Sequence, residues 1–126
     1  MDKAHKNLNA WQEAIELARI TYKITAALPS EERFGLQAQM RRAAISVPSN
    51  IAEGAARRTA KDSLQFYVIA RGSLSELDTH ATLCKVLEML DSENLDLLGY
   101  QIEKVDALLS GLIRSKRSSN PTIKQW

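Results

Sequence analysis

Residues 95–113 read LDLLGYQIEKVDALLSGLI, and within them Leu95, Leu98, Ile102, Val105, Leu109 and Leu112 recur at steps of 3, 4, 3, 4 and 3. That spacing returns side chains to one helix face every two turns, which is the pattern of a heptad seam packed on a neighbouring helix. Leu97, Leu108 and Ile113 fall off the seam and widen the apolar surface beyond what one partner covers. A helix patterned in this way has to be buried on other elements, and the rest of the chain can be read for them.

Upstream of the seam, Asp91–Asn94 supply turn chemistry, with Ser92 the expected N-cap of this fourth helix. A third helix is predicted from about Ala60 to Leu90. Its stripe is Ala70, Leu74, Leu77, Ala81 and Cys84, widened by Phe66, Tyr67 and Leu87, and Thr59 with Asp62 has the form of a capping box at its start. Earlier still, Leu36, Met40, Ala43, Val47 and Ile51 keep helical phase across Pro48. Proline in a helix interior removes the bond to the carbonyl four residues back, here Ala44, so this second helix is expected to kink near Pro48, with Ser46 or Ser49 hydroxyls partly satisfying the freed backbone. Two shorter helices meeting near Val47 are the alternative. Gly54 with Arg57 and Arg58 closes this segment. The first helix, from about Asn9 to Leu28, carries the stripe Trp11, Ile15, Ala18, Tyr22 and Thr25 and is stopped by Pro29 and Ser30. Gly72 and Gly99 lie inside helical patterns, where the expected role is close packing of helices.

Four helices of about 20 to 30 residues joined by short turns pack most simply as an all-α, antiparallel up-and-down four-helix bundle. The expected organisation is a flexible N-terminus at 1–8, the bundle at 9–114, and a solvated basic tail at 115–126. No strand-like alternation and no internal repeat interrupts this reading.

The composition agrees. The chain has 126 residues (14.1 kDa), 44% hydrophobic and 25% charged, with 5 Gly, 3 Pro and a mean hydropathy of −0.27, which suits one globular, helix-rich domain and not a disordered or short-stranded one. No apolar run approaches the roughly 18 residues of a membrane span, and the first residues have no signal-peptide core, so a cytoplasmic protein without membrane contact is expected. The single cysteine, Cys84, rules out an internal disulfide, and with His5 and His80 alone there is no metal-ligand set, so no cofactor is expected. Cys84 sits on the apolar stripe and reads as core; His80, one helical turn before it, could touch it, and His5 reads as part of a solvated terminus. With no nucleophile–base pair, paired catalytic carboxylates or phosphate loop at informative spacing, no enzyme is expected.

The net charge of +2 hides a segregation. Residues 1–32 net −1, 33–71 net +5, 72–113 net −6 and 114–126 net +4. The basic block concentrates Arg41, Arg42, Arg57, Arg58 and Lys61. Guanidinium forks suit phosphate, so these five residues form a candidate nucleic-acid surface for RNA or DNA. Against that stands ordinary helix-surface or intersubunit pairing, since Glu53 precedes Arg57 and Asp62 follows Arg58 by four residues. Aromatic residues are scarce near this patch, so stacking on bases is expected to contribute little and duplex or structured RNA to compete well with single strands. Opposite charge blocks and the surplus apolar surface of helix four also suit self-association. Two functions follow: a noncatalytic module that binds nucleic acid, or a structural, self-associating module whose partner is another protein.

The segment Arg41-Arg42-Ala43-Ala44 through Ser46, Pro48 and Asn50-Ile51-Ala52-Glu53-Gly54 resembles the signature of a bacterial family, the four-helix bundle proteins of the 23S rRNA intervening sequence. Trp11-Gln12, Phe34-Gly35-Leu36, Ile69-Ala70-Arg71-Gly72-Ser73 and Glu76-Leu77 extend the resemblance to about Ile113. It implies an antiparallel four-helix bundle that assembles into a homopentameric ring, with no enzymatic activity. A related branch, the accessory variability proteins of diversity-generating retroelements, implies a basic surface for nucleic acid and a reverse transcriptase as partner. Where the family implies a glycine-containing turn, this chain has Met89-Leu90-Asp91.

Overall fold

The computed structural model describes residues 4–119. Four helices dominate: α1 (Asn9–Thr25), α2 (Leu36–Ala55), α3 (Ala60–Val86) and α4 (Ser92–Ser118), with short 3-10 turns at Ala4–Asn7 and Ser30–Glu32 and no strand among the described residues. α1 packs on α2, α2 on α3, α3 on α4 and α4 back on α1, so the four close into a bundle around one core. Partners on α2 descend as those on α3 ascend: Gly54 meets Ser63, Ser46 meets Ser73 and Met40 meets Cys84. That is the order oppositely running neighbours give.

The seam of α4 is core as expected: Leu98, Ile102, Val105 and Leu109 are buried, with Leu95 and Leu112 half-buried at its ends. Ile113, expected off the seam, is 1% exposed. Gln101 is also buried, and its amide donates to the Glu13 backbone carbonyl and carboxylate of α1 at 2.9 Å each, a polar tie that Lys104 reinforces at 3.4 Å from Glu13.

α1 turns a different face inward from the one its aromatic residues suggested. Ala10, Ala14, Leu17, Thr21 and Ile24 are buried, whereas Ile15 and Tyr22 are 44% and 42% exposed and Trp11 and Ala18 are half-buried. Both stripes have helical spacing. The inward one joins Leu17, Ile20 and Ile24 to Ala10 and Ala14, and Thr21 on it, like Thr25 of the expected stripe, is buried with its hydroxyl spent on a carbonyl, of Leu17 (2.8 Å) and Thr21 (2.6 Å) respectively, which removes the penalty for burying them.

α2 runs unbroken through Pro48 and so is one helix. The Ser46 hydroxyl bonds across to the neighbouring helix, Oγ 2.7 Å from Ser73 Oγ on α3, and Asn50 Nδ2 donates to the Ser46 carbonyl (2.8 Å) and Oγ (3.0 Å). Gly54, inside the last turn of α2, allows α3 to approach closely. A Cβ there would stand 2.5 Å from the buried Tyr67 ring, and Ser63 Oγ donates to the Gly54 carbonyl at 2.7 Å. Gly72 and Gly99, expected to serve close packing, instead face space with no atom within 4 Å of an added Cβ.

The helix ends follow capping chemistry. Thr59 Oγ1 accepts from the Asp62 N–H at 3.1 Å, as the sequence implies. The cap of α4 is Asp91, which accepts from Asn94 N–H at 3.4 Å, and Ser92 is the first helical residue. α3 stops at Val86, four residues short of expectation, because Glu88 takes a left-handed φ of 54° and the Met89 and Glu88 N–H groups bond back to the Cys84 (2.9 Å) and Lys85 (3.1 Å) carbonyls. This is the reversal glycine usually makes after a helix, here made by glutamate. Leu87, expected to widen the core face, is consequently half exposed.

The outer boundaries also shift. The stretch expected as a flexible start contains the 3-10 turn, held by Gln12 Nε2 on the Lys6 carbonyl (2.8 Å) and by an edge-on contact of the His5 and Trp11 rings at 4.9 Å. α4 continues to Ser118, past the expected boundary at 114. The rest of the expected basic tail, 120–126, lies outside the described residues.

Candidate functional site

The five cations expected as one patch occupy the two ends of α2. Arg41 and Arg42 lie in its first half; Arg57 is sixteen residues on, roughly 24 Å along the axis at 1.5 Å per residue, with Arg58 and Lys61 at the turn into α3. Two of the five are committed inside the protein. Arg57 pairs with Glu53 at 3.3 Å, donates to its carbonyl and lies 5.0 Å from the centroid of the Phe66 ring. Arg41 finishes α1: its Nε donates to Thr25 Oγ1 (3.0 Å) and its Nη2 to the Tyr22 carbonyl (3.1 Å), while Gln37 Nε2 donates to the Thr25 carbonyl (3.1 Å). The last carbonyls of a helix have no intrahelical donor, and cationic donors there also complement the helix dipole. Arg42, Arg58 and Lys61 are exposed and have no ion-pair partner among the described residues.

Around Arg41 and Arg42 the fold adds residues that the sequence reading left out. The chain leaving α1 folds back through the Ser30–Glu32 turn and sets Arg33 and Phe34 beside the start of α2, where Glu32 Oε1 accepts from the Leu36 N–H at 3.0 Å. The result is an open hollow of about 520 Å³ whose walls include Tyr22, Arg33, Phe34, Arg41, Arg42 and Ile45. Arg41 stacks 4.5 Å from the Tyr22 ring centroid, and Arg33 lies 5.5 Å from that of Phe34. Phe34 is 87% exposed, the most exposed of the large apolar side chains among the described residues. The cations therefore do have aromatic neighbours, contrary to the expectation. The signal that could have revealed them is the dipeptide Arg33-Phe34 in a turn too short to bury either side chain.

The chemistry available elsewhere is limited. Among the described residues no group of three or more His, Cys, Asp and Glu is placed to hold a metal ion. Cys84 is buried, its thiol 3.7 Å from Met40 Sδ, and burial, with a smaller push from the charge of Glu32, raises its pKa, the opposite of an activated nucleophile. His80 faces Glu76, Nε2 to Oε2 3.6 Å, and its Nδ1 is buried with no hydrogen-bond partner among the described residues. A smaller depression between α3 and α4 collects Asp78, Glu103 and Asp106.

No helix among the described residues is long and apolar enough to cross a membrane. No curated protein is significantly similar to the chain. A protein of unknown function from the S23 ribosomal protein family of Bacteroides thetaiotaomicron VPI-5482 has a similar solved structure, with a TM-score of 0.74 at 21% identity over 83% of this chain and 98% of that one, a likeness of fold. The family described as 23S rRNA-intervening sequence protein matches residues 6–111, which takes in all of α1, α2 and α3 and most of α4. The chain belongs to the 23S rRNA-intervening sequence protein family.

Proposed function

We propose that the protein is a noncatalytic nucleic-acid-binding module of the cytoplasm that works as a homo-oligomer, with the pentameric ring implied by the sequence resemblance as its form. The observation that carries the reading is the surface formed by Arg33, Arg41 and Arg42, cations with no carboxylate paired to them among the described residues. Phosphate contacts made by such groups release counterions, giving binding that is largely independent of sequence and steeply dependent on salt. Repetition around a ring lets individually weak contacts act together.

Gel retardation of RNA and DNA at low salt tests this. Retardation that weakens sharply between about 50 and 200 mM salt is expected. The informative variant replaces Arg33, Arg42, Arg58 and Lys61 by Gln, because Arg41 ties α2 to the end of α1 and Arg57 is already paired with Glu53. Loss of binding at unchanged helicity and unchanged particle size supports the reading, and no retardation by the wild type overturns it.

The structural ring is the second reading, favoured by Val86, Tyr100 and Ile69, which are 71%, 66% and 52% exposed in the single chain. Such residues suit contacts between protein copies or with a protein partner. A reverse transcriptase belongs to this reading if the protein acts as the retroelement branch does. Collapse of the particle in the arginine variants, seen by light scattering, would favour it.

A further inference from the structure

We infer that the hollow at the start of α2 takes an unpaired nucleic-acid strand, with a base stacked on Phe34 and the neighbouring phosphate held by Arg42 and the free Nη1 of Arg41, a reading that rests on the proposed nucleic-acid function and names the form of its ligand. Phe34 is 87% exposed, against 42–71% for the other exposed large apolar side chains among the described residues, and it is the one of them that carries a guanidinium over its ring from its own turn. The turn that carries it is tied down by Glu32 on the Leu36 N–H, and the Arg33 guanidinium lies over the ring. Arg41 is held in place by Thr25, the Tyr22 carbonyl and the Tyr22 ring, so its unused donors are pre-oriented. The surface thus alternates aromatic faces with guanidinium groups, as a single strand alternates bases with phosphates.

A duplex offers the phosphates but not the bases, whose faces are already stacked on one another. An unpaired strand offers both, and aromatic side chains in cationic grooves are how proteins hold such strands without reading their sequence. The hollow is open to solvent and its volume of about 520 Å³ lies within the range of ligand pockets, so a polymer can lie across it with one base inside. An acidic or apolar protein segment would satisfy the cations or the ring, but it has no reason to place them in alternation.

Fluorescence anisotropy with the full chain at fixed low salt separates these cases, using labelled oligo(dT), oligo(U), an abasic deoxyribose-phosphate strand of the same length, and a duplex of that length. The two base-bearing strands should bind about tenfold more tightly than the abasic strand, and their comparison distinguishes DNA from RNA as the source. Phe34→Leu keeps an apolar side chain but removes the π face; it should erase that preference while leaving abasic and duplex binding unchanged, and Phe34→Trp should retain it. Arg42→Gln should weaken all four probes and lower the salt slope by about one. If the wild type binds the abasic strand or the duplex as tightly as oligo(dT), or if Phe34→Leu keeps the preference, stacking is refuted while the charge-based reading survives. If Phe34→Leu changes the particle size, the face is a contact between subunits and the inference falls. Binding to none of the probes removes both.

Discussion

Replacing Gly54 by Ala places a methyl group where the structure has no room for it. The new Cβ would stand 2.5 Å from Tyr67 Cε1, 2.7 Å from Cδ1 and 3.0 Å from the Ser63 carbonyl oxygen. The Tyr67 ring is itself buried and cannot swing into solvent, so α2 and α3, the pair in most extensive contact, have to separate. Overpacking of this kind costs about 1–3 kcal/mol, and the strained Ser63–Gly54 hydrogen bond adds up to about 1 kcal/mol. Alanine's better helix propensity returns less than about 1 kcal/mol in a last turn. The net expectation is a loss of about 1–3 kcal/mol, a melting temperature lower by roughly 4–12 °C for a domain of this size. Thermal unfolding followed by circular dichroism at matched protein concentration reads it directly. Gly72→Ala is the internal control: its Cβ meets nothing within 4 Å, so the propensity gain of about 0.5–1 kcal/mol stands unopposed and the sign reverses. Adding Tyr67→Leu to Gly54→Ala should make the pair less damaging than the sum of the two changes. A Gly54→Ala protein that melts at or above the wild-type temperature would refute the steric argument.

Glu88→Gly should stabilise the protein by about 0.5–1 kcal/mol in urea unfolding, since glycine adopts the positive φ of 54° without strain; an unchanged midpoint would show that the turn carries no strain. Val105→Ala and Leu109→Ala should each lose about 1–4 kcal/mol through cavities in the α4 seam, and wild-type stability in both would remove α4 from the core. Burial raises the pKa of the Cys84 thiol and of the Tyr67 phenol, so both stay protonated in the folded protein at pH values where the unfolded chain ionises. Stability from these groups is complete below the unfolded thiol's value near 9 and declines as pH rises, and a denaturation midpoint flat from pH 8 to 10.5 would contradict it. We propose that α2 bends at Pro48; residual dipolar couplings should orient 36–46 and 49–55 as two axes more than about 20° apart, and a common axis would show a straight helix.

The sequence made the four helices, their order and the α4 seam legible because strong periodicity survives any detail of packing. The inner face of α1 was not legible for a specific reason. Two stripes one residue apart, one led by Trp11 and Tyr22 and the other by Ala14 and Leu17, have the same spacing, and threonines that bond their own backbone look polar until the bonds are seen. The candidate site was only partly legible. Arg41 and Arg42 are neighbours in the sequence and in the structure, whereas α2 carries Arg57, Arg58 and Lys61, grouped with them by charge along the chain, to its far end. The aromatic half of the site, Tyr22 and Phe34, comes from α1 and from a turn, and only the fold-back of the chain places it beside Arg41. Asp91 took the cap expected of Ser92 because both can accept and the helix began one residue earlier.

The tie between Gln101 and Glu13 spans 88 residues of sequence, against 16 for the tie between Arg41 and Thr25. For a flexible chain the longer closure is about 1.5 kcal/mol less favourable in entropy, so α1, α2 and α3 can zip up through local contacts before α4 swings back to complete the ring of helices. Until it does, the face of α1 that receives Gln101 stays open to water. We propose that the contact between α1 and α4 closes last and parts first, so amide hydrogen exchange should be faster along that contact than between α2 and α3, and equal protection would refute it.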